Sequence, residues 1–270
     1  GVSGAAAGVL QVLSLMWLRT TMNYQYRNGG DTQTALKTLY KEGGFGRFYQ
    51  GVGFALLQQP LSRFGDTAAN TGMVMLLGSL TATASLPLFV QTAAGSAAAS
   101  CFRIVLMPID TFKTTMQVKG ASGVQDLQRK ISKGGPGVLF EGAAATLGST
   151  FVGNYPWWAT FNTLQATVPE YGDGSLASKL IRNAAIGLVA SGVSDTISNS
   201  LRVAKTVKQT SDEKLTYSET FKSIVDKDGY GGLFGRGLKT RLGTNALQGM
   251  MFSVLWKLFD EAVLKANGIQ

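Results

Sequence analysis

The sequence contains no histidine and a single cysteine, Cys101, and these two absences exclude several classes of protein. One cysteine cannot form an internal disulfide framework, and zinc sites built from cysteine and histidine need several such residues. Without histidine, the Ser-His and Cys-His pairs of nucleophilic catalysis are not available. We therefore expect neither an enzyme nor a bound metal or other cofactor, and we expect Cys101 to be a small buried apolar residue.

Charged residues are also few, at 15% of the chain, where a soluble domain has about 25%. Proline occurs only 6 times, whereas glycine occurs 34 times. Such a composition favours helices that pack closely in a membrane. The net charge of +9 is carried between apolar segments, which favours anionic lipid headgroups or an anionic solute as partners and disfavours nucleic acid.

Two long segments, Thr67–Phe102 and Gly142–Pro169, contain no charged residue. A helix needs about 20 predominantly apolar residues to cross a bilayer, so the first segment is long enough for parts of two helices, with a turn near Pro87. Further candidate spans lie at residues 1–18, 178–201 and 242–256. We interpret the first of these as a spanning helix rather than a cleavable signal.

Three similar segments recur along the chain. They are VLSLMWLRTTM (12–22), RIVLMPIDTFKTTMQ (103–117) and SNSLRVAKTVKQ (198–209). When they are aligned on the basic residue before threonine, Arg19, Lys113 and Lys205 fall in register, 94 and 92 residues apart. A constant period of this kind predicts a fold built from repeated units.

A second series of landmarks has nearly the same period. The segments EGGFGRFYQG, KGGPGVLFEG and DGYGGLFGRG end at Gly51, Gly142 and Gly237, 91 and 95 residues apart. Each unit has a long apolar helix, an amphipathic stretch and a second long helix, and Ser218 is expected to start the third amphipathic helix. We predict an all-α membrane protein of six spanning helices and three short amphipathic helices. The predicted repeats are residues 1–85, 86–175 and 176–270.

The chain resembles the mitochondrial carrier family in its repeats, its PIDTFKTTMQ element and its glycine landmarks. The resemblance covers nearly the whole chain and is that of a divergent member. The resemblance implies a barrel of six helices around a central cavity. Such a barrel moves a small solute across the inner mitochondrial membrane by alternating access. The plastid envelope is the alternative location.

In this family the first helix of each repeat carries a proline, an acid two residues later and a base three residues after that. Proline kinks the helix, and the acids and bases bridge neighbouring helices into a gate on the matrix side. Only the second repeat is complete here, with Pro108, Asp110 and Lys113. The corresponding triplets of the other repeats are Ser14, Met16 and Arg19, and Ser200, Arg202 and Lys205. The resemblance therefore implies a degenerate gate in which one acid faces four bases: Asp110 against Arg19, Lys113, Lys205 and Arg202.

The second helices of the family carry a gate on the opposite side. At those positions the second repeat has the neutral pair Asn162 and Gln165, and the third has Lys257 and Asp260 with the charges exchanged. The first repeat offers no pair. Neutral amides still form hydrogen bonds of about 1 kcal/mol each, so the resemblance implies a weakened gate on this side.

The substrate contacts of the family lie at mid-cavity on the same helices. The corresponding residues here are Ser149, Thr150, Thr244 and Asn245. None is arginine, which grips carboxylate or phosphate at two points, and this disfavours a multiply charged anion. Arg63 either faces the solute or pairs with Asp66, three residues further along the helix.

The landmark glycines have a further implied role. In the family, the helices that begin after such glycines bind cardiolipin headgroups through their free N–H groups. The resemblance therefore implies lipid sites at Gly51, Gly142 and Gly237.

Two functions from different classes remain open. The first is a carrier of an unidentified small solute, which rests on the resemblance and the intact second-repeat motif. The second is a carrier fold without transport activity, acting as an accessory subunit of a larger inner-membrane complex such as a respiratory one. The loss of acids from the first and third repeats motivates this second hypothesis.

Overall fold

The computed structural model describes residues 2–79, 83, 86–169 and 176–251, and all regular elements in these ranges are helical. The helices are α1 Val2–Asn28, α2 Thr32–Phe48, α3 Val52–Ser79, α4 Leu88–Val105, α5 Met107–Lys119, α6 Ser122–Gly134, α7 Ala143–Thr167, α8 Leu176–Thr210, α9 Tyr217–Gly235 and α10 at residues 238–251. A short 3₁₀ helix, Pro136–Phe140, precedes α7. The all-helical prediction is confirmed for this part of the chain.

The first long helix of the second repeat is broken, whereas those of the first and third repeats are continuous. The segments on either side of Leu106 meet at 67°, and Pro108 stands in the first turn of α5. Proline is tolerated there because the first N–H groups of a helix have no partner within it. Serine occupies the equivalent positions 14 and 200, and α1 and α8 continue through them without a break.

The membrane spans cannot be assigned from the hydropathy of single helices. Among the described residues, no helix by itself has the length and hydropathy of a span, while the bent pair Ala93–Val105 and Met107–Lys119 meets both criteria together. The six spanning helices therefore remain a prediction.

The three predicted amphipathic segments all form helices, namely α2, α6 and α9. Asp31 caps α2 by accepting a hydrogen bond from the backbone N–H of Thr34 at 2.6 Å. The prediction that Ser218 starts α9 is wrong, because Thr216 is the N-cap and forms a reciprocal capping box with Glu219. Hydrogen bonds from Thr216 lower the pKa of Glu219.

The landmark glycines join successive repeats. Each has a positive φ and stands directly before a long helix: Gly51 at 84°, Gly142 at 87° and Gly237 at 66°. A Cβ on each would meet a backbone carbonyl oxygen of the next repeat: that of Lys113 at 3.1 Å, Lys205 at 3.3 Å and Met22 at 3.2 Å. These close approaches link the first repeat to the second, the second to the third and the third to the first.

Two buried arginines reinforce these junctions. Arg47 pairs with Glu42 at 2.8 Å and donates to the carbonyls of Gln117 and Val118 at the end of α5. Arg236 pairs with Asp228 at 2.8 Å and donates to carbonyls at the end of α1. Because the last carbonyls of a helix lack intrahelical partners, such cations satisfy them and favour the negative end of the helix dipole.

Buried apolar residues form small clusters between the helices. One cluster joins α1, α8 and α9 through Tyr26, Val203, Val207, Ile224 and Leu233. Many buried residues are instead polar, including threonines and serines of the long helices. The expectation for the cysteine is wrong, because Cys101 is exposed.

We expect Gly51→Ala to destabilise the protein more than Gly30→Ala. Both glycines have φ of 84°, so alanine brings the same left-handed strain of about 1–2 kcal/mol at each position. Only at position 51 would the added methyl group press against a neighbouring helix, since no atom lies within 4 Å of a Cβ at position 30. The additional loss should be about 1–3 kcal/mol, measured by thermal unfolding in detergent. Equal losses would contradict close packing of the first repeat on the second.

Candidate functional site

The long helices enclose a central cavity of about 450 Å³. Its wall carries six basic side chains: Arg19, Arg103, Lys113, Arg202, Lys205 and Arg241. Asp110 is the acid among the lining residues, and Asp195 stands directly behind Arg241, with 2.6 Å between Oδ1 and Nε. Among the described residues of the wall, basic side chains therefore outnumber acidic ones.

Asp110 is the centre of the first charged cluster. One carboxylate oxygen accepts hydrogen bonds from Lys113 at 2.7 Å and from Gln58 at 2.8 Å. The other lies 2.5 Å from Nζ of Lys205 and accepts a longer bond of 3.4 Å from Gln209. The acid is buried, and burial of a charge is tolerated only when its oxygens are paired and hydrogen-bonded. The four donors provide this pairing.

Glutamines extend the cluster to the remaining repeats. Gln58 lies on α3 and also accepts a hydrogen bond from Lys113. Arg19 of α1 donates to Gln59 at 3.4 Å and to Gln248 of α10 at 3.3 Å. The second repeat therefore contacts the third through an ion pair. The second repeat contacts the first through the side-chain amide of Gln58. The third repeat contacts the first through the amide of Gln248, which accepts from Arg19.

A second charged cluster surrounds Asp195 on α8. Its carboxylate accepts hydrogen bonds from Arg241 at 2.6 Å and from the side-chain amide of Asn245. Arg202 lies two turns further along α8 and approaches the same carboxylate at 3.9 Å. Asp195 is buried, and it orients two side chains of α10 that line the cavity.

The two clusters are related by an exchange of charge between repeats. Arg103 precedes Asp110 by seven residues in the second repeat, and Asp195 precedes Arg202 by seven in the third. Each pair is 92 residues from its counterpart, which is also the spacing from Lys113 to Lys205. Acid and base are thus exchanged between equivalent positions of the second and third repeats.

The predicted matrix-gate residues are only partly brought together. Asp110, Lys113 and Lys205 form one cluster, as described. Arg19 contacts glutamines instead, and Arg202 is directed to Asp195 and to the hydroxyl of Ser198 at 3.1 Å. The role of all five as a gate remains a prediction.

The predicted substrate-contact residues line the cavity where the structure describes them. Ser149, Thr150, Thr244 and Asn245 all belong to the wall. The hydroxyls of Ser149 and Thr244 donate to carbonyls one turn earlier in their own helices, at 3.2 and 2.7 Å. Their lone pairs remain able to accept a hydrogen bond. The side chain of Arg63 lies outside the described part of the structure.

The predicted opposite-side gate is described only in the second repeat. Asn162 is exposed, while Gln165 accepts from Arg182 and donates to Asn183 at 2.7 Å. Arg182 also donates to the carbonyls of Gln165 and Val168 at 2.8 and 2.6 Å, so it caps the end of α7. Lys257 and Asp260 lie outside the described residues.

Three charged residues of the site were missed by the sequence interpretation: Arg103, Asp195 and Arg241. A usable signal was present for each. Arg103 and Asp195 stand seven residues before the predicted gate positions Asp110 and Arg202, and Arg241 stands one turn before Asn245 and so shares its helix face. The four predicted contact positions do lack arginine, but this does not make the cavity poor in arginine. Four arginines line the same cavity from neighbouring positions.

Comparison with known proteins finds one matching family model and one related transporter. The sequence model of the family described as mitochondrial carrier protein matches residues 84–172 and 177–267. The mitochondrial citrate transporter D of Aspergillus niger is 26% identical over 219 residues, which cover 73% of this chain and 70% of that transporter.

We expect Asp110→Asn to destabilise the fold by about 3 kcal/mol, since it leaves the ammonium groups of Lys113 and Lys205, both largely removed from solvent, without their acid. The matched control is Asp212→Asn. Asp212 also pairs with a lysine, Lys119, but its side chain is 72% exposed, so the loss should stay below about 1 kcal/mol. Both changes are measured by thermal unfolding in detergent. Losses of equal size would contradict a structural role for the Asp110 cluster.

Proposed function

The chain belongs to the mitochondrial carrier protein family, and we propose that it carries a small organic anion with two or more negative charges across the inner mitochondrial membrane. The group of six basic side chains in the described part of the cavity wall is the observation that supports this proposal. Cations held close together repel one another, and a bound anion relieves that repulsion.

The chemistry of the wall favours carboxylates. Arginine offers a planar set of N–H donors that matches the two oxygens of a carboxylate, and four arginines line the cavity. The neutral residues Ser149, Thr150 and Asn245 suit hydroxyl or further carboxylate oxygens. The citrate transporter of A. niger is a relative, so a di- or tricarboxylate such as citrate is the first solute to test. This choice replaces the earlier expectation against a multiply charged anion.

The cluster around Asp110 is suited to a matrix-side gate that opens and closes. The ion pair with Lys205 joins two repeats, while glutamines join the others. Neutral amide contacts contribute on the order of 1 kcal/mol each. A gate built in this way separates at lower cost than a ring of three ion pairs, and the solute supplies the compensating charge.

The alternative, an accessory subunit without transport activity, is less well supported. A plugged or apolar centre would favour it. The centre described above is instead a polar cavity with oriented charged groups. Cardiolipin at the glycine turns and the plastid envelope as an alternative location stay proposals from the family resemblance.

Purified protein in liposomes should take up labelled citrate against a matched internal anion. We expect Arg103→Gln to lower the initial uptake rate by at least tenfold, because a hydrogen bond to a charged group contributes about 1.5–3 kcal/mol. Arg129→Gln is the control, since Arg129 lies on the surface helix α6 with a side chain 72% exposed. It should leave uptake unchanged.

Absence of uptake of citrate, other carboxylates and phosphate by folded protein would contradict the proposal and favour the accessory role. An equal loss in both variants would show that the effect is not specific to the cavity.

A further inference from the structure

One buried carboxylate holds two side chains of the cavity wall. Oδ1 of Asp195 accepts a hydrogen bond from Nε of Arg241 at 2.6 Å, and Oδ2 accepts from the side-chain amide of Asn245. Asp195 is only 4% exposed, and it is not among the residues that line the described part of the cavity. It therefore acts on a solute through Arg241 and Asn245 rather than by contact.

Arg241 keeps its outer edge for a solute. Because Asp195 uses Nε, the two terminal nitrogens of the guanidinium form the edge that borders the cavity. Nη1 lies 4.0 Å from the sulfur of Met22, which is a weak acceptor. Two parallel N–H groups match the two oxygens of a carboxylate. Arg241 is thus oriented as a carboxylate donor.

The same carboxylate fixes the orientation of the Asn245 amide. Asp195 is paired with arginine as an anion, so its oxygens accept hydrogen bonds and have no hydrogen to donate. Asn245 therefore presents its NH₂ group to Asp195, and its carbonyl oxygen lies at the other end of the amide. Since Asn245 lines the cavity and Asp195 stands behind it, the carbonyl oxygen is the end offered to a solute.

A carbonyl oxygen in this position selects the kind of group that it contacts. It can only accept a hydrogen bond, and the oxygens of an ionised carboxylate can also only accept. An ammonium group could donate, but the six basic side chains of the described wall would repel it. A hydroxyl group donates without carrying charge, so it is the partner that fits Asn245.

Two other acceptors of the wall are less accessible. The hydroxyl oxygens of Ser149 and Thr244 can accept as well, but these residues are only 3% and 4% exposed. Asn245 is half-buried. It also lies one turn from Arg241 on the same face of α10, so one solute can reach both with adjacent hydroxyl and carboxylate groups.

We propose that the central cavity selects hydroxylated di- and tricarboxylates. The solute hydroxyl donates to Oδ1 of Asn245, a neighbouring carboxylate accepts from Arg241, and Asp195 is the positioning residue that holds both side chains in these roles. This inference rests on the proposed function and narrows it, because it adds a hydroxyl group to the organic anion that the cavity accepts.

The first test compares solutes that differ only in the hydroxyl group. Citrate and propane-1,2,3-tricarboxylate carry the same three carboxylates, and malate and succinate carry the same two. For the hydroxylated member of each pair we expect half-maximal uptake into liposomes at a roughly fivefold lower concentration, the effect of one net hydrogen bond. Equal concentrations within either pair would overturn the proposal, even if the protein carries all four solutes.

Two variants assign the preference to residues. Asn245→Leu removes the acceptor with little change in volume, so the ratio between propane-1,2,3-tricarboxylate and citrate should fall from about five to about one. Asp195→Asn should lower the ratio as well, because a neutral amide accepts and donates and no longer fixes the Asn245 amide. A purely structural defect would lower uptake of both solutes and leave the ratio unchanged, which would contradict the positioning role.

Matched variants separate this site from its neighbours. Asn28→Leu makes the same change at an exposed residue at the end of α1, and it should keep the wild-type ratio. Thr150→Val removes a hydroxyl of α7 that also lines the cavity. A ratio that collapses in Thr150→Val and persists in Asn245→Leu would overturn the assignment to Asn245.

Thermal stabilisation of the wild-type protein in detergent distinguishes the two levels of the proposal. Greater stabilisation by citrate than by propane-1,2,3-tricarboxylate supports the hydroxyl contact, and this comparison remains available if a variant fails to fold. Equal stabilisation by the two would overturn the hydroxyl contact alone. If neither compound stabilises the protein and neither is taken up, the proposed function fails as well.

Discussion

The buried carboxylate of Asp110 is the contact on which the centre of the molecule depends. It lies on α5 and receives donors from α8 and α3, so one side chain holds helices of all three repeats. A charge in that position is stable only while its donors surround it. The contacts between these helices therefore depend on one another. Loss of one donor leaves the carboxylate less well paired and so destabilises its remaining contacts.

The predominance of basic residues in the described cavity wall follows from the loss of acids in the first and third repeats. In a symmetric arrangement each base of the ring would face an acid from its neighbour. Here Met16 and Arg202 occupy two of the three acid positions, and Asp195 pairs with Arg241 of α10. Glutamine, asparagine and threonine side chains line the wall between the charged groups. Their dipoles can solvate the cations without neutralising them.

The helical class, the amphipathic helices and the break near Pro108 could be predicted from the sequence, because each depends on local spacing. The charged residues of the cavity wall were harder to predict, because several stand outside the family motifs. Arg103 and Arg241 belong to no family motif, although Arg241 stands one turn before Asn245 and Arg103 stands seven residues before Asp110. The partners of Gln58 and Gln165 could not be predicted, since they depend on how far one helix is displaced along another. Thr216 was missed as a cap although Glu219 follows it at the required spacing.

The break at Leu106 makes the second repeat unlike the other two. There α4 and α5 meet at 67°, whereas α1 and α8 continue through the equivalent positions. Asp110 stands in the first turn of α5, directly after the break. The place of its carboxylate, and with it the pairing to Lys205 and Gln58, therefore depends on the angle between α4 and α5.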